Sequence, residues 1–401
     1  MASERTAPAR AAVALARCAG YGPQEVGRAA AQVLTALEPL DLPRGGRVLL
    51  KPNCLSSHHG PDSPVNTRAE VVEAVGRYLI ERHGLRLVIA DSGGLSSYGR
   101  TKKSYRLMGF DQVADNLGAD LVNLEELGLI EYRSPIGRVV DRFQATQLLD
   151  QVQAIVNLPK LKTHLLTGMT GAVKNCFGLL PGSLKRDVHV IALNPSLMAQ
   201  ALVDIYAAFK AKPGISLHLM DAVVAMEGTG PAQGQARPAG WLLGSADGVA
   251  LDCLAATMMG FNPAKVETVA LAAGAGLGQG RLETIDLLGA GSGDLKLPGF
   301  KRPFGGLKTL LGGFFPAGLA GRAFGWLNEA KPWLAPENCQ LCGLCVEACP
   351  AGALSLDQGR LDLDRDKCIE CYCCLEHCPS QGLWVPRGLW DRLRGRPRAG
   401  L

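Results

Sequence analysis

Short apolar runs alternate with helical patterns from about residue 10 to residue 295 of this chain. Residues 47–50 (RVLL), 85–90 (LRLVIA), 154–158 and 215–220 read as buried strands. Between the first two, Thr67 and Glu70 form a T-x-x-E capping-box pattern, and Val71, Val72, Val75 and Leu79 follow at helical spacing. A helix is expected there. A second should start at Asn194-Pro195, with Asn as N-cap and Pro in the first turn, and run to about Lys210. Residues 247–259 and 263–273 also read as helices. Strands alternating with helices predict an α/β body with a largely parallel sheet and helices on both faces.

Residues 296–335 break the pattern with Gly, Pro, Phe and Trp. They read as a linker whose aromatics pack on the body. The competing reading is an interfacial membrane anchor on Phe314, Phe315 and Trp326 with Lys308 and Arg322. Glycines at 312, 313, 318 and 321 weaken any helix there, so membrane contact is not expected. Residues 336–383 form a cysteine domain. Residues 384–401, with Arg387, Arg392, Arg394, Arg396 and Arg398, read as a solvated basic tail.

A length of 401 residues suggests two or three domains, and 47% apolar against 20% charged residues is a globular balance. The formal charge of +5 gives no argument for nucleic-acid binding. The apolar run at 11–16 lies between Arg10 and Arg17 and is too short for a secretory leader. No run of 18 apolar residues is present. A cytoplasmic protein, with reduced thiols, is therefore expected.

Nine of the 13 cysteines fall between Cys339 and Cys378, in two matched runs. These are Cys339-x2-Cys342-x2-Cys345-x3-Cys349-Pro350 and Cys368-x2-Cys371-x2-Cys374-x3-Cys378-Pro379. Both fit the C-x2-C-x2-C-x3-C-P pattern of bacterial [4Fe–4S] ligation. Three cysteines two residues apart wrap a tight loop around one face of a cubane. The fourth cannot close on the same cluster without strain and reaches to the other. Cys339, Cys342, Cys345 and Cys378 should thus hold one cluster, and Cys368, Cys371, Cys374 and Cys349 the second. Cys373 is an extra thiol, since register with the first repeat favours Cys374 as the ligand. A disulfide framework suits a small secreted domain, not this setting, and matched repeats disfavour zinc. The module resembles bacterial two-cluster ferredoxins, which implies a small α+β fold and one-electron transfer. It holds eight acidic residues against three basic ones, a formal −5 before any cluster is counted. It should dock on a basic surface, either the body's or a partner's.

Strand ends are where α/β sheets place ligands. Here they carry Lys51-Pro52-Asn53, then Asp91-Ser92-Gly93-Gly94, then Lys160, Lys162, Thr163 and His164, followed by Thr167, Thr170, Lys174 and Asn175. A fourth segment carries Asp221 and Glu227-Gly228-Thr229-Gly230-Pro231. The segments K-P-N, D-S-G-G, N-L-P-K-L-K-T-H, G-A-V-K-N-C-F-G, D-A-V-V-A-M-E-G-T-G-P and S-A-D-G-V-A-L-D resemble those of the DUF362 family over most of residues 45–260. That resemblance implies iron–sulfur association, often with a C-terminal ferredoxin module, and supplies no reaction.

The residues themselves suggest a chemistry. Lys51, Lys160, Lys162 and Lys174, if they converge, repel one another, and burial depresses a lysine pKa. A bound carboxylate or phosphate relieves both costs, with Asn53, Ser92, Asn175 and the backbone N–H groups of the Gly93-Gly94 turn as further donors. Asp91, Glu227 and His164 are the candidate acid/base groups. His58-His59 reads as a surface loop and Asp252 as structural. The glycines of 273–280 follow a helical pattern, not a strand, so a dinucleotide loop is not expected.

The expected protein is an iron–sulfur oxidoreductase. Two [4Fe–4S] clusters relay electrons from a redox partner protein to an anionic substrate or cofactor bound by the body. Two alternatives stay open: an electron carrier within a larger complex, or a metal-dependent enzyme with structural or sensing clusters.

Overall fold

The computed structural model describes residues 10–94, 99–192, 194–289, 295–303 and 331–386. The aromatic and basic residues 308–326 behind the membrane-anchor reading, and the tail arginines, lie outside the described residues.

Apolar runs become strands because both faces of the sheet are buried. In chain order they are β1 (Ala11–Arg17), β2 (Arg47–Pro52), β3 (Arg86–Ile89), β4 (Asp120–Leu121), β5 (Leu129–Arg133), β6 (Arg142–Thr146), β7 (Ala154–Leu158), β8 (Lys160–His164), β9 (Gly168–Thr170), β10 (Ile215–Glu227), β11 (Gln235–Ser245) and β12 (Ile285–Gly289). The main sheet runs β12-β1-β11-β10-β7-β2-β3-β4, with β8 paired to β10 and β9 to β8. The pairs β10–β7, β7–β2, β2–β3, β3–β4 and β1–β12 are parallel, whereas β11 is antiparallel to both neighbours.

Side chains alternate between two cores, as the two-residue period of a strand requires. Val48 and Leu50 of β2 enter one core, whose other side is built by α1 (Pro23–Ala36), α2 (Ala69–His83), α3 (Thr101–Met108) and α4 (Phe110–Leu117). Leu49 enters the other. There the sheet meets α5 (Ala172–Asn175), α6 (Leu184–Ile191), α7 (Pro195–Ala211), α8 (Gly248–Met258) and α9 (Glu267–Gly274). The body is an α/β layer fold with helices on both faces.

The helix at 194 begins as expected, with the Asn194 side chain accepting from Leu197 N. The Thr67 capping box does not form. The helix starts at Ala69 with Arg68 as N-cap, and Arg68 N–H donates to Asp221 Oδ2 at 3.2 Å. Thr67 Oγ1 instead accepts from Asn53 N and donates to Leu158 O at 2.8 Å, tying three strand-end segments together. Glu70 pairs with Arg68. A tertiary acceptor on β10 displaces the local cap.

Pro159 separates β7 from β8, so one extended run changes partners midway. Asp221 N donates to Pro159 O, and Lys160 stands opposite Asp221. The Lys160 ammonium meets Asp221 Oδ2 at 2.7 Å with both groups buried, and it donates to Tyr21 Oη at 2.7 Å.

The cysteine module contributes β13 (Trp333–Leu334), β14 (Leu354–Asp357), β15 (Arg360–Leu363) and β16 (Leu383–Trp384), with α10 (Leu344–Glu347) and α11 (Cys373–His377). Its two antiparallel pairs, β13–β16 and the hairpin β14–β15, give a small α+β unit. Its buried Leu354, Leu361, Leu375 and Leu383 belong to the same apolar core as α7 and α8. Among the described residues no helix is long and apolar enough to cross a membrane.

The buried pair allows a stability test. Lys160→Met strands the Asp221 charge and should cost about 3–5 kcal/mol. Arg77→Ala, which breaks only the exposed Arg77–Glu73 pair, should cost less than about 1 kcal/mol. Urea midpoints followed by far-UV circular dichroism read both, and equal losses would contradict the role given to the Lys160–Asp221 pair.

Candidate functional site

The C-terminal ends of β2, β3, β7 and β8 open side by side, and α11 of the cysteine module closes over them. The result is a half-open cavity of about 600 Å³ counted to its mouth. Its walls include Asn53, Asp91, Ser92, Lys162, His164, Thr170, Lys174, Asn175, Lys185 and His189 from the body. Cys373, Glu376 and His377 come from the module.

The floor is a buried polar ladder. Lys51 Nζ meets Asp91 Oδ1 at 2.7 Å, and Asp91 Oδ2 accepts from Cys54 N at 2.7 Å. Lys162 Nζ donates to Asn53 Oδ1 and Val65 O, both at 2.7 Å. Asn53 Nδ2 donates to Asn175 Oδ1, and Asn175 Nδ2 to Asn157 Oδ1. Burial, with the charge of Lys174 close by, pushes the Lys162 pKa down to about 7.

Asp252 accepts from Ala172 N and Val173 N and so fixes the first turn of α5, which presents Lys174 and Asn175. Gly171 and Gly178 permit this crowding. A β-carbon at Gly171 would collide with the Asp252 carboxylate, and one at Gly178 would collide with Asp91 Oδ1.

The expected lysines separate into two groups. Lys162 and Lys174 wall the cavity. Lys51 and Lys160 do not line it, because Asp91 and Asp221 neutralise them below and beside it. Glu227 is also outside; its Oε2 accepts from Lys301 N at 3.0 Å, too remote for the acid/base part expected of it. Asp91 lines the cavity, but both of its oxygens are engaged. In the Gly93-Gly94 turn, the Gly94 N–H expected for a ligand instead donates to Leu55 O, and Gly93 O accepts from Lys185 Nζ. Gly94 serves close approach instead: a β-carbon there would lie 2.7 Å from His377 Cε1.

Three wall residues were not singled out from sequence. Lys185 Nζ donates to Ser92 O, Ser92 Oγ and Gly93 O, bracing the D-S-G-G turn, and burial lowers its pKa to about 8. His189 lies four residues on, so α6 turns both toward the cavity; that i,i+4 spacing was the available signal. His377 sits beside Cys378, where no sequence signal told that the module faces the body.

Lys174 makes no hydrogen bond among the described residues; its ammonium stands 5.7 Å from the Phe177 ring, and burial lowers its pKa. His164 Nδ1 accepts from Leu166 N, so Nε2 carries the proton and donates to Glu376 Oε1 at 3.2 Å. Burial and then Lys174 hold the His164 pKa down to about 4, so the imidazole is neutral. Burial pushes Glu376 up, but the His164 bond and the Lys174 charge outweigh it, and its carboxyl is held down to about 2. His164 is thus a clasp between body and module. Gln233 Nε2 to Leu375 O and Arg186 Nη2 to Glu347 O, both 2.7 Å, reinforce it.

The module's local geometry fits iron–sulfur clusters. Cys339, Cys342, Cys345 and Cys378 line one cavity with Leu356, Leu361 and Leu383. Cys349 lies close enough to bear electrostatically on Cys368 and Cys374, across the repeat. Leu341 and Glu370, and likewise Gly343 and Tyr372, hold left-handed φ at equivalent places in the two cysteine loops. Such strain is typical of ligand-wrapping turns. Ala353 N donates to Cys349 Sγ and Gly382 N to Cys378 Sγ, each four residues past the fourth cysteine. Those bonds favour thiolate. Cys373 is buried against the body's cavity, with its Sγ 4.0 Å from Cys371 O.

An α/β body whose strand-end cavity is covered by a two-cluster ferredoxin-type module defines an iron–sulfur protein of the electron-transfer class. A domain of unknown function, DUF362, matches residues 48–257, and a 4Fe-4S dicluster domain matches residues 338–381. The chain belongs to the DUF362 family and carries iron–sulfur clusters in its C-terminal module. A thylakoid-associated protein of Synechocystis sp. is 33% identical over 271 residues, 64% of this chain and 77% of that one. Two solved structures align with 63% of this chain. A Thermotoga maritima protein does so at 14% identity and TM-score 0.36, over 59% of its own length. The lactate racemase apoprotein of Thermoanaerobacterium thermosaccharolyticum does so at 10% and 0.39, over 57%. The chain spans less than two thirds of either, and likeness at that level says nothing about the site.

Cysteine replacement tests the ligand sets. Cys342→Ser and Cys371→Ser together should abolish both clusters, whereas Cys373→Ser should retain both, read as iron and sulfide per chain. Loss of a cluster in the Cys373 variant would overturn the assignment.

Proposed function

We propose that the protein is an iron–sulfur oxidoreductase, passing electrons between a partner redox protein and a small anion held in the cavity under α11. The observation that carries this reading is the shared wall. Cys373, Glu376 and His377 line the cavity from the same short helix that bears the ligand Cys374. In this reading a ligand in the cavity lies beside the second cluster.

A [4Fe–4S] cluster supplies one-electron transfer. The chain's own residues bind, orient and exclude water. Lys174 meets the anion's charge, and Lys162, held on Asn53 and Val65, lies beside it as a further N–H donor. Lys185 keeps the D-S-G-G wall in place. Reduction of an organic acceptor needs protons, and the imidazoles at the cavity are their nearest carriers. His189 and His377 suit that part better than His164, whose Nε2 proton is engaged by Glu376.

The first cluster site faces outward. Cys342 is exposed, and Leu341 and Leu356 are 43% and 41% exposed beside it. An acidic module with an open apolar edge suits a basic electron-transfer partner there. The relay then runs from partner to first cluster, to second cluster, to anion. A reducing, cytoplasmic setting belongs to the proposal, since the eight ligand cysteines must stay reduced to bind iron.

The test uses the full chain purified without oxygen. Small molecules released on denaturation are identified by mass spectrometry, then added to pre-reduced protein while cluster absorption is followed. An anion that reoxidises the clusters, with a rate at least tenfold lower in Lys174→Met, supports the reading. Clusters that no released anion reoxidises would count against it and favour a pure electron carrier.

A further inference from the structure

Three residues that line the cavity each carry a buried polar atom with no partner among the described residues: Thr170 Oγ1, His189 Nδ1 and His377 Nε2. Their residues are only 3%, 7% and 6% exposed. They come from β9, α6 and α11, so three separate elements bring residues with an unsatisfied polar atom to the walls of one space. Native proteins seldom leave buried polar atoms unpaired, and several in one cavity point to a missing polar ligand.

The charge balance says which kind. Lys162, Lys174 and Lys185 line the cavity against Asp91 and Glu376. Asp91 is already paired with Lys51, and Glu376 keeps its charge beside the neutral His164, which leaves one carboxylate against three lysines. The surplus is positive, and Lys174 has no hydrogen-bonding partner among the described residues. A hydroxyl and two imidazole nitrogens add donors around it, and an imidazole nitrogen can donate or accept.

Size narrows the class. The cavity leaves about 70 Å³ to the centres of water-sized molecules. One water needs roughly 10–15 Å³ by that measure, so about five waters' worth of room is present. That admits a phosphate-sized ion or an acid of two or three carbons.

We propose that the cavity binds a compact oxyanion, a phosphate or a short carboxylate, through Lys174, Thr170 and His189 of the body and His377 of the cluster module. The module completes the binding site as well as covering it. His377 reaches the anion because Gly94 leaves it space. This assignment rests on the cavity being the ligand site of the proposed oxidoreductase, yet it concerns binding alone.

The experiment is calorimetric titration of the full chain, clusters intact and oxidised, with inorganic phosphate and separately with acetate. The expected result is saturable binding of one ion per chain. Affinity should fall at least tenfold in Lys174→Met and in His377→Ala, at unchanged iron content. Binding of phosphate alone assigns a phosphate site, and binding of acetate alone or of both assigns a carboxylate-tolerant one. If His377→Ala loses iron, Thr170→Val and His189→Ala, remote from the cysteine ligands in sequence, give the same reading. No saturable binding of either ion would overturn the proposal, as would binding that survives within twofold in these variants. Binding without any anion-dependent electron transfer would remove the redox reading and leave this assignment standing.

Discussion

Everything at the site depends on how this fold keeps positive charge buried at the ends of a parallel sheet. A lysine placed there must find a carboxylate, lose its proton or recruit an anion. All three solutions stand within a few residues of one another. Lys51 and Lys160 take carboxylates, Asp91 and Asp221, each at 2.7 Å. Lys162 has its pKa lowered to about 7 and rests on amide and carbonyl oxygens. Lys174 has neither a carboxylate nor a hydrogen bond among the described residues, and it faces the cavity. The two ion pairs also set the walls. Asp91 carries the turn that Lys185 braces, and Asp221 caps the helix that begins at Ala69.

The cluster module is seated on that edge by complementary chemistry. Its acidic Glu376 meets the neutral His164 and lies near Lys174, and its apolar side joins the body's core. The two units therefore enclose space that neither encloses alone. A cavity walled partly by the helix of a cluster ligand is an economical place for an acceptor, because little chain separates the redox centre from the bound molecule.

Much of this was legible in sequence where the signal was local. Strand runs of two-sided apolar residues gave β2, β3, β7 and β10, and Asn194-Pro195 marked the start of α7. The doubled cysteine spacing told of the clusters because ligand geometry is encoded within a few residues. Failures came where a distant partner decided the outcome. Thr67 lost its cap to Asp221, and Glu227 turned to Lys301. Identical-looking lysines were divided by which carboxylate lay within reach. Lys185 and His189 carried only a helical spacing. His377, adjacent to a cysteine, carried no signal that it would face the body. The meeting of module and body is a tertiary fact, with no short-range trace.

The central claim is that the cavity adjoins the second cluster and not the first. A redox titration of the full chain, with both clusters followed by electron paramagnetic resonance, tests it most directly when run with and without a saturating compact anion. Negative charge beside a cluster disfavours an added electron, so the account predicts a lowered potential for the second cluster and an unmoved first cluster. Equal shifts in both, or a shift of the first alone, would contradict it.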